Sequence, residues 1–454
     1  MKTKYQQKQN KMKPTLDADK FIKPLQDSFP KTTESAPDEL KQIRKHAWQA
    51  FLAMGIPSVK NEEFKYTPLR TLAETSYENF PQKNISKNEL EKTPLGTPEG
   101  ARVVFVNGQI SEELSDMSAL PVGITYKKLS QAVLEDWESV KTHFAKIANW
   151  ENAPFVALNT ALWEDGVYLR IGKDVVVENP ISLVFYSTPN EAPASSHTRN
   201  LIILEPRSDC KIIEAYLGKE GNYFQNAVTE FHIAENAVCE HVKIQDESLS
   251  AHHIFTQQTL QQEKSVFHTN NISYGAHLSR TDVNIFLNGE HSECLMNGVY
   301  FGCDNQVIDN HTRLDHAKPN CNSFEVYKGI LADNATGVFN GKIFVHPDAQ
   351  KTDAKQTNQA LLLSKNASIN TKPQLEIFAD DVKCTHGATV GQLKEDALFY
   401  LMSRGIPRKQ AKSLLVYAFA SEVLEHISIR WLVDRLEKTL FDRLANIDIH
   451  AERD

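Results

Sequence analysis

No GxxxxGKS/T phosphate loop, GxGxxG fingerprint, GxSxG elbow or HExxH helix occurs in this chain of 454 residues. Such motifs hold backbone N–H groups, a nucleophile or metal ligands at the spacing their chemistry needs. Their absence removes the sequence basis for nucleotide hydrolysis and for the common hydrolases. Gly341-Lys342 is the nearest approach to a nucleotide loop, and it lies in a strand-like context without the spacing. Any ATP the protein uses is expected to be bound by a partner.

A run of about 18 apolar residues, the length a helix needs to cross a bilayer, is also missing. No charged head leads into a short apolar segment at the start. The expected location is the cytoplasm, with no membrane partner. Positive charge is nowhere concentrated: 50 Lys and Arg face 58 Asp and Glu, a formal net charge of -8. Without a basic stripe to neutralise phosphates, nucleic acid is not an expected partner. Cysteine is scarce, and Cys210, Cys239, Cys294, Cys303, Cys321 and Cys384 stand at irregular spacings. That is no disulfide framework, so reduced thiols are expected.

What is present divides the chain into three. The opening MKTKYQQKQNKMKP is rich in Lys and Gln, has no acidic residue and offers little to bury, so a frayed tail is expected there. Over 38–52 the apolar positions Leu40, Ile43, Ala47, Trp48, Phe51 and Leu52 recur at helical steps, and Gly55 and Pro57 end the helix. EEFKYTPL at 62–69 reads as an anchoring turn against a core. A short strand at 103–106 and helices near 128–136, 137–147 and 159–163 complete an α-rich N-terminal region, residues 1–165, of which 1–37 is a partly disordered tail.

From about Gly166 the period changes to two, in VYLRI, NLIILE, CKIIEAYL, TEFHIAENAVCEHVKI and VNIFL. Several turns share a loose form, an aliphatic residue followed three or four positions later by a small one: IAENA to Ala237, LADNA to Ala335, VHPDA to Ala349 and LSKNA to Ala367. Recurrence at uneven spacing, without intervening helices, suits short strands stacked rung on rung, and a sandwich is the alternative from pattern alone. The β core is expected over 166–385 and a helical C-terminal domain over 386–454. Gly405 caps a helix at 393–403, Pro407 opens the next over 410–427, and Leu432, Leu436, Leu440 and Leu444 form a stripe at four-residue steps. A stripe of this kind serves internal packing or a partner.

A Cys-x-His pair, Cys384 and His386, sits where strand texture gives way to helix. Two residues apart on a strand, they point to one face and place a soft and a borderline ligand side by side. Zinc and iron-sulfur sites close with about four ligands, so this is half a first shell, and a site shared with another chain is the functional reading. The plainer reading is a small buried Cys384 and a hydrogen-bonded turn His386. Eleven of the sixteen histidines lie from His197 to His346. They read as exposed hydrogen-bonding positions of strand faces and turns, with Cys303 and Cys321 filling rungs.

KCTHGATVG followed by LFYLMSRGIP, with VFNGKIFVHPDAQKTDAKQTNQALLLS upstream and EEFKYTPL near the start, resembles the SufB/SufD family of iron-sulfur cluster assembly proteins. The resemblance covers most of the chain, from Trp48 to Phe419. It implies a mainly β fold: a right-handed parallel β-helix core flanked by α-helical N-terminal and C-terminal domains. It also implies an assembly subunit and not an enzyme, paired through the β-helix with a SufB-like subunit and docking a SufC-like ATPase through the C-terminal helices. His386, with Cys384 beside it, is by the same resemblance a ligand of a transient iron-sulfur cluster shared with the SufB-like subunit, and no nucleotide is bound by this chain. SufB-type chains carry a sulfur-accepting cysteine where Ala367 stands here, and a glutamate where Gly387 follows His386, so the resemblance is to the SufD branch. Without a thiol at that place no persulfide forms there. A β-helix enzyme acting on a polysaccharide or acyl substrate is the alternative, and it would need converging carboxylates that the sequence does not display.

Overall fold

A computed structural model describes residues 15–29, 36–96 and 98–446 of the chain, so the expected frayed tail at 1–14 lies outside the described residues. The N-terminal region contains helices α1 (Asp19–Ser28), α2 (Asp38–Met54), α3 (Arg70–Glu74), α4 (Lys87–Glu91), α5 (Leu129–Glu135), α6 (Trp137–Val140) and α7 (Pro154–Leu162). Strands β1 (Glu78–Asn79), β2 (Arg102–Val106), β3 (Gln109–Ile110) and β4 (Ile124–Lys128) lie among them. Helix α1 falls inside the stretch expected to be partly disordered, because Phe21 and Leu25 find a buried apolar site beside Trp48 and Phe51.

Sixteen strands follow without an intervening helix. The first eight are β5 (Val167–Ile171), β6 (Ile181–Ser187), β7 (Ala194–Leu204), β8 (Asp209–Gly218), β9 (Tyr223–Ile233), β10 (Val238–Asp246), β11 (His252–Gln261) and β12 (Val266–Ser273). The others are β13 (Leu278–Leu287), β14 (Glu293–Gly302), β15 (Val307–His316), β16 (Asn322–Leu331), β17 (Thr336–Val345), β18 (Asp353–Leu362), β19 (Ser368–Ile377) and β20 (Lys383–Gly391). Odd strands pair with odd and even with even, parallel and in register, giving two facing sheets that wind as a solenoid of about eight turns. A sandwich is excluded, since from β6 to β20 each strand bonds the strand two places along the chain and not its neighbour in sequence. Strand β20 runs to Gly391, past the boundary expected at 385/386. Helices α8 (Glu395–Ser403), α9 (Arg408–Leu424) and α10 (Arg430–Asn446) end the described chain.

The corners explain why this sequence coils. Asn236, Asp304, Asn320 and Asp333 take the left-handed conformation that Asn and Asp tolerate best among residues with a side chain. Each such turn bonds the turn above it: Asn236 N–H donates to Glu263 O at 3.0 Å, Asn320 to Gln350 at 2.9 Å and Lys351 to Asp381 at 2.7 Å. Ala237, Ala335, Ala349 and Ala367, the small residues of the recurring turn, are all buried, where a larger side chain would push the rungs apart.

Both outer faces of the solenoid are covered. Phe224, Ile254 and Leu278 of one sheet pack under Phe21, Trp48, Phe51 and Leu158. On the other sheet Val242, Ile244, Val299, Phe301 and Ile330 pack under Val416, Ala420 and Val423 of α9 and Leu432, Leu436, Leu440 and Leu444 of α10. The leucine stripe is therefore internal packing.

Buried ion pairs fasten the N-terminal layer. Arg199 and Glu230, both fully buried, meet at 2.6 Å, and Glu230 also accepts the N–H of Ala145 at 3.0 Å and of Ala148 at 2.8 Å. Arg280 on β13 pairs with Asp309 at 3.1 Å and Asp282 at 2.8 Å. It donates to Glu63 O at 2.7 Å and Thr67 Oγ1 at 3.1 Å, with its guanidinium 4.0 Å from the Phe64 ring centre. This is how the segment 62–69 is anchored. Removing one partner of such a buried pair costs roughly 3–5 kcal/mol, because the other charge stays buried. We expect Arg280→Ala to lose stability of that order in urea unfolding and to open residues 58–69 to protease. Unchanged stability would mean that apolar contacts alone hold the segment.

Candidate functional site

In-register stacking turns positions far apart in the chain into columns. One inner column of the even-numbered sheet runs Cys210, Cys239, Phe267, Cys294, Ser323, Ala354 and Cys384. The next runs Ile212, His241, Thr269, Met296, Glu325, Gln356 and His386. Cys384 and His386 thus share a face, and it is the inward one, on the last rung. Among the described residues no strand pairs with the far edge of β19 or β20, so their outward N–H and C=O groups are open. Ile377, Phe378 and Val390 are exposed at the same end.

The two candidate ligands differ in quality. Cys384 is half-buried against the cluster of Ile343, Val345, Ala349, Ala354 and Ala379, and burial pushes its thiol pKa up. A metal binds the thiolate, so this environment works against Cys384 as a ligand. His386 is exposed at the rim, where a neutral imidazole binds a metal without first losing a proton. Among the described residues no three His, Cys, Asp or Glu side chains gather at metal-binding distance. Of the two candidates, His386 is the accessible one and Cys384 the reluctant one.

Behind His386 lies a pair that spacing did not reveal. Gln356, 1% exposed, donates from Nε2 to Glu325 Oε2 at 2.7 Å, and Glu325 is itself 3% exposed. Burial pushes the Glu325 carboxyl up to about 7. The signal available in the sequence was the inward phase of polar residues in SFEVY and AKQTN, which only the register joins to His386.

Several of the other histidines are not exposed as expected. His241, His253 and His316 point into the solenoid, where His253 Nδ1 lies 2.7 Å from Glu247 and His316 Nε2 lies 2.9 Å from Ser323 Oγ. The interior of this solenoid takes polar side chains, and burial lowers the pKa of His253 and His316. Ala367 is buried in an apolar cluster with Tyr300, Leu331 and Phe339, so no thiol stands at that turn. A Cβ at Gly387 would meet nothing within 4 Å, so packing does not demand a glycine there.

A carboxyl whose folded pKa lies above its ordinary value of 4.5 binds its proton more tightly when folded. Stability is then fully present below the unfolded pKa and is lost as pH rises toward 7, by roughly 1.4 kcal/mol per pH unit in that window. Glu325→Gln should remove this slope. We expect urea midpoints of the parent and the variant to diverge between pH 5 and pH 7, with the variant relatively more stable at the upper end. Parallel curves would mean that Glu325 is already ionised in the folded state.

Two comparisons bear on this site. Residues 185–419 match the family description "SUF system FeS cluster assembly, SufBD core domain", and residues 17–183 match "SufBD protein N-terminal region". The chain is 31% identical over 406 residues to the iron-sulfur cluster assembly protein SufD of Escherichia coli, covering 89% of this chain and 92% of that protein. It is 31% identical over 395 residues to a SufBD family protein of Synechocystis, covering 85% and 87%. Identity to the iron-sulfur cluster assembly protein SufB of Bacillus subtilis is 24% over 385 residues, covering 83% and 81%.

Proposed function

The chain belongs to the SufBD family of iron-sulfur cluster assembly proteins, and from that premise we propose that it is a non-catalytic SufD-like subunit of a cluster-assembly complex. The observation that carries the reading is the open last rung, where two unpaired strand edges frame His386. An open edge is a template for another chain's strand, and soluble proteins keep such edges uncovered only at a cost in aggregation. A SufB-like solenoid ending in the same way would pair with β19 and β20 and bring its own ligands to His386. The iron-sulfur cluster is cargo, held transiently and completed by the partner. The buried alanine at position 367 fits this division of labour, since sulfur would enter through the partner's thiol.

The proposed seat for a SufC-like ATPase is α8 with the start of α9. Phe399 is 73% exposed and Tyr400 58%, with Met402 and Leu414 also exposed. Apolar groups gathered on one surface mark an interaction site better than single exposed residues do. The α10 stripe is occupied by the solenoid and is not available for docking. Against the enzyme reading, Asp246 is ion-paired with Arg443 in a cleft of about 930 Å³ and Glu62 with Lys372 in one of about 690 Å³.

Coexpression with SufB-like and SufC-like subunits tests the proposal. His386→Ala should leave the purified complex at normal yield and lower its cluster content, while Cys384→Ser should do less. Normal cluster content in the His386→Ala complex would remove this residue from the site. For the ATPase contact, Phe399→Asp should abolish capture of the SufC-like subunit with stability unchanged within about 0.5 kcal/mol. Leu436→Ala should instead destabilise the fold by roughly 2–5 kcal/mol. Retained ATPase binding in Phe399→Asp would place the contact elsewhere.

A further inference from the structure

Glu325, Gln356 and His386 occupy one inner column on three successive rungs. Gln356 is buried between its neighbours, and its amide nitrogen is committed to Glu325 at 2.7 Å. Its amide oxygen has no partner, although the side chain is 1% exposed. Gly341 of the facing sheet presses on the same amide: a Cβ there would lie 2.4 Å from Gln356 Nε2 and 2.8 Å from Cδ. A glycine in a strand interior forfeits packing, and here it makes room for this side chain. The amide nitrogen meets both Gly341 and Glu325, which leaves the oxygen as the end of the glutamine without a partner.

Gln356 and His386 are register partners on adjacent strands, so the unpartnered oxygen of Gln356 belongs to the rung next to the one that carries His386. Neighbouring strands lie about 4.8 Å apart, so side chains in register reach hydrogen-bonding distance by rotation about their own bonds. A neutral imidazole has one N–H and one lone pair, and the partner of the N–H decides which nitrogen is free to bind a metal.

We infer that Gln356, oriented by Glu325, is a positioning residue for His386: its amide oxygen accepts the N–H of one ring nitrogen and leaves the lone pair of the other directed out of the last rung. The inference rests on the reading of His386 as this chain's ligand to the cluster. Glu325 acts only through Gln356, and neither touches the metal.

The test uses the full chain, labelled with ¹⁵N-histidine and assembled with its unlabelled SufB-like partner. Ring nitrogen shifts report the His386 tautomer, assigned by the signal lost in His386→Ala. The parent should show one tautomer, and Gln356→Leu should show a mixture of both. Iron(II) titration of the same complexes should weaken about ten-fold in Gln356→Leu, the range seen when a partner of a ligating histidine is removed. Glu325→Gln, which can present either end of its amide to Gln356, should give an intermediate tautomer ratio and provides the reading if Gln356→Leu fails to assemble. A mixed tautomer in the parent, or an unchanged ratio in both variants, overturns the inference. A single tautomer that Gln356→Leu scrambles, together with normal cluster content in His386→Ala, upholds the positioning and overturns the ligand role instead.

Discussion

In-register parallel pairing between strands two elements apart is the constraint on which the rest depends. It makes each side chain the neighbour of residues about one turn of the coil away in both directions, so columns form through the length of the solenoid. Columns of like size pack cheaply, as the buried alanines of the corners show. The same pairing needs a further rung at each end. At the start, β2 joins β6 and β4 joins β5, so N-terminal strands close the first turn. At the other end nothing in the described chain closes β19 and β20, and that asymmetry singles out the last rung.

The two helical layers play unlike roles. The N-terminal layer is held by buried charges, Arg199 with Glu230 and Arg280 with Asp309, whose geometry fixes where segments 62–69 and 145–148 meet the sheet. Such pairs add little net stability against apolar replacements but make misplacement costly, since one unpaired charge would be left in a dry site. The C-terminal layer adds the ion pairs Lys328–Glu422 and Arg443–Asp246 to a broad apolar contact, which is non-directional and tolerates exposed residues nearby. That difference allows α8 to carry Phe399 and Tyr400 in solvent while α10 spends its apolar face on the core. In the interior, polar columns that include His241, Lys243, Glu325 and Gln356 give the solenoid a hydrogen-bonded lining in place of a purely aliphatic one.

Alternation of period two, the recurring turns that end on a small residue and the missing helices between strands led to stacked rungs with a sandwich as the alternative, and the helix stops at Gly55 and Gly405 were legible locally. Helix α1 was not, because its polar sequence is held by tertiary burial of Phe21 and Leu25. The histidines were misplaced outward for a related reason: polar residues normally prefer the wet face, and this solenoid buries them with partners supplied by other rungs.

The sequence by itself determined that Cys384 and His386 share a face, that no thiol stands at position 367, and that 432–444 carries a leucine stripe. These follow from local period and residue identity. Only the tertiary structure decided that the shared face points inward at an open end, that Cys384 is pressed into an apolar cluster while His386 stands at the rim, and that the stripe is spent on packing. It alone brought Glu325 and Gln356 beneath His386. The physical reason is that period two states that successive side chains alternate but not which set is inside, and the register between strands some thirty residues apart is set by turn lengths summed around a whole coil.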